Sequence, residues 1–142
     1  MAATTVDINT QRKYVERVVA DNAKVAANTT IPAGALVAAN ATGDLINTAD
    51  VAGATVLGRA PRRMVNATGA AATITPKAFV EAGVFKYKTT GAQAITAADI
   101  GKNCFALDNQ TVVRTAGVTN QNIVGVVESI DPDGDVWVKV NC

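Results

Sequence analysis

Short apolar runs alternate with turns rich in Gly, Pro and Asn along most of this chain. Runs of about four to eight residues bounded by such turns are typical of β-strands, whereas helices need longer amphipathic segments. The pattern therefore predicts an all-β protein. The predicted strands lie at 23–27, 35–39, 44–47, 54–60, 72–75, 77–81, 84–88, 103–107, 111–114, 122–129 and 135–141.

The end of the chain predicts an antiparallel hairpin. The turn Asp-Pro-Asp-Gly at 131–134 joins the strand at 122–129 to the last strand. Because side chains in a strand point alternately to its two faces, the last strand divides into two sets. Val136, Val138 and Val140 lie on one face, and Trp137, Lys139 and Asn141 lie on the other.

The N-terminal segment differs from the rest of the chain. Residues 1–10 are small and polar, with Val6 and Ile8 as the only apolar anchors, which predicts an extended arm. Residues 11–26 are the most charged stretch, and a shared apolar face predicts a short helical turn over 11–19. We divide the chain into an N-terminal arm, 1–22, and a β domain, 23–142.

Residues 34–60 and 101–127 align without gaps at a constant offset of 67 residues. Two pairs of adjacent apolar residues coincide as well, Leu45-Ile46 with Val112-Val113 and Val56-Leu57 with Ile123-Val124. We infer one β unit that is used twice and packs back on itself. The identical pairs are Gly34 and Gly101, Ala39 and Ala106, Thr48 and Thr115, Ala49 and Ala116, Val51 and Val118, and Gly58 and Gly125.

The composition is that of one globular domain with a shallow core. Of the 142 residues, 49% are apolar but only 4% are aromatic, so the core must use Val, Ile, Leu and Ala. Small side chains bury little area each, and association with a partner would add stability. The net charge of +1 implies no broad attraction to nucleic acid. We find neither a secretory signal nor an apolar run of membrane-spanning length, and therefore expect synthesis in a cytoplasm.

Few residues could carry chemistry. The chain has no histidine, so its one serine, Ser129, has no imidazole to activate it. Cys104 lies in an apolar strand and Cys142 ends the printed sequence, and two cysteines are too few for a zinc site. The aspartates at 131, 133 and 135 fit a hairpin turn better than a calcium loop. We predict a protein that is not an enzyme and uses no cofactor or metal.

Two features suggest contacts with a partner. Arg59, Arg62 and Arg63 lie within five residues, and no aromatic residues interleave with them for base stacking. We therefore expect a protein interface or a solvated loop there rather than a nucleic-acid site. Trp137 is the only tryptophan, and it either covers the core or lies at a subunit contact, where tryptophan is enriched.

The order of six short motifs resembles that of the small decoration (cement) proteins of tailed-bacteriophage capsids. The resemblance covers roughly residues 25–142. The chain differs from the shortest members in its longer, more charged segment 1–26 and in its longer loop 61–76. The motifs are TIPAGALV at 30–37, VLGRA at 56–60, EAGVF at 81–85, NCFAL at 103–107, IVGVV at 123–127 and VWVKV at 136–140.

The resemblance implies a compact β-clip or β-tulip domain, a small barrel or sandwich, with an N-terminal arm that reaches onto the major capsid protein. It implies homotrimers on the exterior of the virion that stabilise the head. The rival hypotheses are a phage tail, fibre or surface module that binds a host glycan, and an accessory domain of an enzyme. The expected capsid or subunit contacts are Val6, Ile8, Arg12, Tyr14, Val15, Arg17, Arg62, Arg63 and Trp137.

Overall fold

A computed structural model describes residues 3–8 and 10–141. The described chain is nearly all β, which confirms the predicted class, and its two short 3-10 helices are Ala97–Asp99 and Thr115–Gly117. The strands are β1 (Arg12–Val19), β2 (Thr29–Ile31), β3 (Leu36–Ala39), β4 (Leu45–Asn47), β5 (Thr55–Arg59), β6 (Met64–Asn66), β7 (Val80–Tyr87), β8 (Asn103–Ala106), β9 (Val112–Val113), β10 (Ile123–Ile130) and β11 (Val136–Val140).

Nine of the strands form one antiparallel sheet that curls into a half-barrel. Its path is β4-β3-β5-β7-β11-β10-β8-β9, and β1 pairs with β7 outside that path. β2 and β6 form a separate two-stranded sheet. The strand order is symmetric about the central pair β7 and β11. On one side lie β5, β3 and β4 of the first aligned segment, and on the other side lie β10, β8 and β9 of the second.

The two aligned segments share strand order and register. β3, β4 and β5 in the first segment correspond to β8, β9 and the start of β10 in the second, and each set has a register shift at the same point. The internal repeat is therefore present in the pairing of the backbone. The equivalent pairs, 67 residues apart, are Ala38↔Ile46 with Phe105↔Val113, Ala38↔Val56 with Phe105↔Ile123, and Val37↔Gly58 with Cys104↔Gly125.

The glycine that both segments place at this register shift has a steric cause. A Cβ built on Gly58 would lie 2.0 Å from the carbonyl oxygen of Glu81 in β7. A Cβ on Gly125 would lie 2.0 Å from the carbonyl oxygen of Lys139 in β11. Any side chain at either position would push two paired strands apart. Gly58 therefore allows β5 to approach β7, and Gly125 allows β10 to approach β11.

Two apolar clusters form the core. The larger one lies inside the curled sheet, and Phe85 and Tyr87 are its large members. The three valines of β11, which were predicted to share one face, all belong to it. The smaller one lies between the first segment and the β2–β6 sheet. Its members are Val25, Ile31, Ala35, Val37, Leu45, Ala60, Met64, Ala78 and Val80.

The helical turn predicted over 11–19 is wrong, because these residues form the eight-residue strand β1. β1 pairs with β7 from Arg12↔Phe85 to Val19↔Val80, with two bulges. Gly83 permits the close approach, since a Cβ there would lie 2.3 Å from the carbonyl oxygen of Tyr14. The β-branched valines of β1 also favour a strand. Tertiary pairing therefore decides the conformation of this segment.

Other boundaries also differ from the prediction. The strands expected at 77–81 and 84–88 are one continuous strand, β7, because the glycine between them serves close packing rather than a turn. Residues 23–27 and 72–75 contribute single bridges, Val25↔Leu45 and Val25↔Ala72, instead of strands. Strand β6 lies in the segment expected to be a loop. The domain division at residue 22 stays a prediction, although β1 belongs to the main sheet.

Candidate interaction surface

β1 is the most exposed strand of the described chain. Seven of its eight residues are exposed, among them Tyr14 at 43%, Val15 at 37% and Val18 at 52%. Within residues 3–8 and 10–141, β7 is the one strand that pairs with β1. A long edge strand with exposed apolar side chains is a template on which another chain can add a strand.

Basic side chains of β1 reach across the sheet. The Lys13 ammonium lies 2.9 Å from the Glu128 carboxylate and 5.1 Å from the centre of the Trp137 ring. The Arg17 guanidinium donates to the backbone carbonyl of Asn141 over 3.0 Å. These contacts link β1, which pairs with β7, to β10, to β11 and to the residue that follows β11.

Arg12 of β1 forms an ion pair with the carboxylate of Glu81 in β7. Glu81 lies 3.3 Å from Arg12 and 2.9 Å from the largely buried Arg59, so one carboxylate bridges two guanidinium groups. Arg59 also lies 6.0 Å from the ring of Phe85. Arg59 is thus an internal ion-pair partner and separates from the other two arginines of its sequence cluster.

The N-terminal segment before β1 is held by polar contacts. The Thr4 backbone N–H donates to the Asn109 side-chain oxygen over 2.9 Å, and the Asn109 amide donates back to the Thr4 carbonyl over 3.0 Å. The Ile8 backbone N–H donates to Ala33, and the Thr10 hydroxyl donates to Gly34. Because Val6 is 64% exposed, this attachment depends on hydrogen bonds from the backbone and from polar side chains more than on burial of that valine.

Arg62 and Arg63, two of the four arginines of the predicted contact set, have different partners. Arg63 forms an ion pair of 3.0 Å with Asp7 in the N-terminal segment. The pKa of Asp7 is lowered, first by the backbone N–H of Ala33 and then by Arg63. Arg62 lies 5.1 Å from the centre of the Phe79 ring and donates to the Lys77 carbonyl. The structure therefore does not bring Arg62 and Arg63 together into one site.

Trp137 is half-buried on the outer face of β11, opposite the inward valines. Its indole N–H donates to the Asp131 carboxylate over 3.2 Å, and Lys13 covers the ring. It therefore covers the outer face of the sheet instead of filling the larger core. Whether it also contacts a partner stays a prediction.

The acidic hairpin turn is held by one lysine. Asp131 and Asp133 both accept from the ammonium of Lys86. Their pairing raises the pKa of Lys86, chiefly through Asp133, and Lys86 in turn lowers the pKa of Asp133. Among residues 3–8 and 10–141 no cluster of three or more acidic, Cys or His side chains could hold a metal ion.

Of the two cysteines, the structure describes only Cys104. Cys104 is fully buried in the larger core, as expected for a small apolar side chain, and burial raises the pKa of its thiol to about 12. A thiol with such a pKa carries little thiolate near neutral pH. Cys142 lies outside the described residues.

A polar clamp joins the loops of the two repeats. The Asp50 carboxylate, between β4 and β5, accepts the backbone N–H groups of Thr119 and Asn120 over 2.8 Å each. The Asn122 side-chain amide donates to the carbonyls of Ala49 and Val51. The N–H of Thr119, together with smaller contributions from Asn120, lowers the pKa of Asp50. These hydrogen bonds join the loop between β4 and β5 to the loop that precedes β10.

We expect Asp50→Asn to lower the free energy of unfolding by about 1 kcal/mol at pH 7, because each carboxylate oxygen accepts one N–H group, whereas the amide has a single uncharged oxygen and places an NH2 donor against the other N–H. A carboxyl whose folded pKa is depressed stabilises the fold above its unfolded pKa, and that stabilisation is lost as pH falls through the folded pKa. The difference between wild type and variant should therefore shrink below about pH 4.

Urea unfolding at pH 7 and pH 3 measures this difference. Asp21→Asn serves as the control, because its ion pair with Lys77 is exposed and should contribute little at either pH. An Asp50→Asn loss of equal size at both pH values would contradict a charge-dependent clamp.

Two recesses lie next to these elements. A cleft of about 400 Å³ lies between the N-terminal segment and the end of β7, and Thr10, Lys86 and Asp133 are among its lining residues. A groove of about 330 Å³ lies between Arg17 of β1, Val56 of β5 and strands β8, β10 and β11, and Ile123 and Val126 are among its lining residues.

The predicted contact residues thus fall into separate regions. Strand β1 carries Arg12, Tyr14, Val15 and Arg17, and its Lys13 contacts Trp137. The N-terminal segment contains Val6 and Ile8, and its Asp7 pairs with Arg63. Arg62 lies apart from both groups. The sequence analysis missed Ile123 and Val126. Their signal was the run at 123–127, which has no polar position, whereas a strand with one solvated face usually alternates.

None of the 3-10 helices formed by residues 3–8 and 10–141 has the length and hydropathy of a membrane span. Comparisons with protein-family models, with curated proteins and with solved structures found no match to this chain.

Proposed function

We propose that this protein is a structural decoration protein of a tailed-bacteriophage capsid. It binds the outside of the head and holds neighbouring major capsid protein subunits together. Two findings support the proposal: the motif order that resembles such proteins and the compact, nearly all-β fold. The protein acts by adding buried area across subunit boundaries and catalyses no reaction.

The observation that carries the proposal is the exposed strand β1. Seven of its eight residues are exposed, with apolar and basic side chains beside the single acidic residue Glu16, and β7 is the one strand partner of β1 within the described chain. Addition of a partner strand would supply backbone hydrogen bonds along β1, with side-chain contacts at Tyr14, Val15 and Val18 giving selectivity. A strand of this kind suits attachment to a β-rich surface.

Assembly on a symmetric shell strengthens such an attachment. Specific interfaces bury about 1,200–2,000 Å² in total, and repeated contacts raise the overall affinity above that of one site. The proposal places homotrimers at three-fold positions on the capsid exterior, which follows from the resemblance. The protein is made in the host cytoplasm and ends on the virion.

We expect Val18→Asp to weaken binding to expanded capsids of the encoding phage by at least tenfold, or about 1.4 kcal/mol. A carboxylate on β1 must be desolvated when another strand covers it. Val65→Asp is the matched control, because Val65 is 46% exposed but lies in β6. Co-sedimentation with purified capsids, together with circular dichroism of each variant, measures the effect.

Equal binding of both variants to capsids would remove β1 from the attachment site. Failure of wild-type protein to bind capsids would overturn the decoration function itself. Binding of the protein to host cells but not to capsids would support the rival glycan-binding module.

A further inference from the structure

The internal repeat provides its own comparison for one face of the sheet. In the first segment, Leu36 is fully buried, Val56 is 6% exposed and Arg59 is 9% exposed. The positions 67 residues later are exposed: Asn103 lies at the surface, Ile123 is 52% exposed and Val126 is 38% exposed. Equivalent positions are therefore buried in the first copy and exposed in the second.

In the first segment the cover comes from the chain itself. Leu36 and Val56 belong to the larger core cluster, where Val124 and Val138 are also members. In the second segment Ile123 and Val126 stay exposed within the described chain. They lie in the groove of about 330 Å³, beside Arg17 of β1, Lys139 of β11 and the largely buried Val56 of β5.

Among the described residues, the charged side chains that line the groove are basic. Arg17 and Lys139 line it, and no carboxylate is among the lining residues of the described chain. Arg17 donates through one guanidinium nitrogen to the backbone carbonyl of Asn141 over 3.0 Å and to the Asn141 side-chain oxygen over 3.5 Å, and it forms no ion pair with a carboxylate of residues 3–8 and 10–141. The side chain of Lys139 is exposed. An occupant therefore needs negative charge beside an apolar side chain.

We propose that this groove binds an extended acidic segment of a partner protein. In that segment a β-branched or other apolar side chain packs on Ile123 and Val126, and carboxylates on either side pair with Arg17 and Lys139. Charge complementarity selects an acidic partner over a basic one, and the apolar contact supplies area that the first repeat obtains from its own chain. The proposal assigns a ligand chemistry to the groove and does not require that the partner be a capsid protein.

The experiment uses a capped hexapeptide of alternating Glu and Val as the probe, with the Lys and Val hexapeptide as its charge-reversed control. Titration of the whole isotope-labelled protein is followed by amide NMR shifts at low salt. We expect the acidic peptide to shift the amides of Ile123, Val126 and Lys139, and to bind at least tenfold more tightly than the basic peptide. Added salt should weaken the binding.

Two exposed substitutions test the site without disturbing the core. Ile123→Thr and Lys139→Glu should each weaken acidic-peptide binding at least fivefold. Their matched controls, Val65→Thr and Lys24→Glu, lie outside the groove and should bind as wild type does.

Equal binding of the two peptides, shifts confined to other strands, or unchanged affinity in both groove variants would overturn the proposal. Concentration-dependent self-association that Ile123→Thr abolishes, without binding of the acidic peptide, would also overturn it and would assign the groove to a second copy of this chain. Loss of capsid binding in Val18→Asp with normal peptide binding would leave the groove assignment intact, so the two proposals fail separately.

Discussion

Gly125→Ala is expected to lower the free energy of unfolding by about 3 kcal/mol or to prevent folding. The added methyl carbon would lie 2.0 Å from the carbonyl oxygen of Lys139, in the backbone of the paired strand. A backbone atom cannot move aside as a flexible side chain can, so β10 and β11 must separate. Urea unfolding followed by tryptophan fluorescence measures the effect, since Trp137 lies in β11.

The repeat makes a second test of the same cause. Gly58→Ala should destabilise the fold to a similar degree, because its Cβ would meet the Glu81 carbonyl oxygen at 2.0 Å. Gly69→Ala is the control, since nothing lies within 4 Å of its added Cβ, and it should cause no loss of stability. If Gly125→Ala and Gly69→Ala were equally stable, the steric explanation for the paired glycines would be wrong.

Asn109→Ala should release the N-terminal segment and lower stability by about 2 kcal/mol. The Asn109 side chain is buried and forms three hydrogen bonds, two with the backbone of Thr4 and one of 2.9 Å with Asn47. Alanine leaves the backbone groups of Thr4 without these partners, and they regain partners in water only if the segment detaches.

Amide hydrogen exchange separates this local release from global unfolding. The Thr4 amide should exchange at least tenfold faster in Asn109→Ala, while amides of the larger core keep most of their protection. Asn103→Ala removes the same side chain from an exposed strand position and should leave Thr4 protected. Unchanged protection of Thr4 in Asn109→Ala would show that the contacts of Asp7, Ile8 and Thr10 hold the segment without Asn109.

The short-range pattern of the sequence predicted the repeat and its strands well. Strands expected at 35–39, 44–47, 103–107 and 111–114 occur within one or two residues of β3, β4, β8 and β9. The final hairpin also forms, with the Asp131 N–H donating to the Asp135 carbonyl across the turn. These elements are determined locally, because turn residues and alternating side chains specify them without a distant partner.

The candidate surface was predicted less completely. The sequence analysis included Arg12, Tyr14, Val15 and Arg17, but it expected a helical turn instead of the strand that exposes them. It grouped Arg62 with Arg63, whereas in the structure Arg62 contacts the ring of Phe79 and Arg63 forms an ion pair with Asp7. Ion pairs and ring contacts between distant segments cannot be inferred from spacing along the chain.

By itself, the sequence determined that this protein is all-β, that it repeats a unit at an offset of 67 residues, and that its core is rich in Val, Leu, Ile and Ala. Only the tertiary structure decided that residues 12–19 form a strand, since their valines and charges allow either conformation until β7 provides hydrogen bonds. It also decided that Val56 is buried while the equivalent Ile123 is exposed. Burial depends on which other segments pack against a strand, and two similar sequences in different surroundings therefore have different solvent exposure.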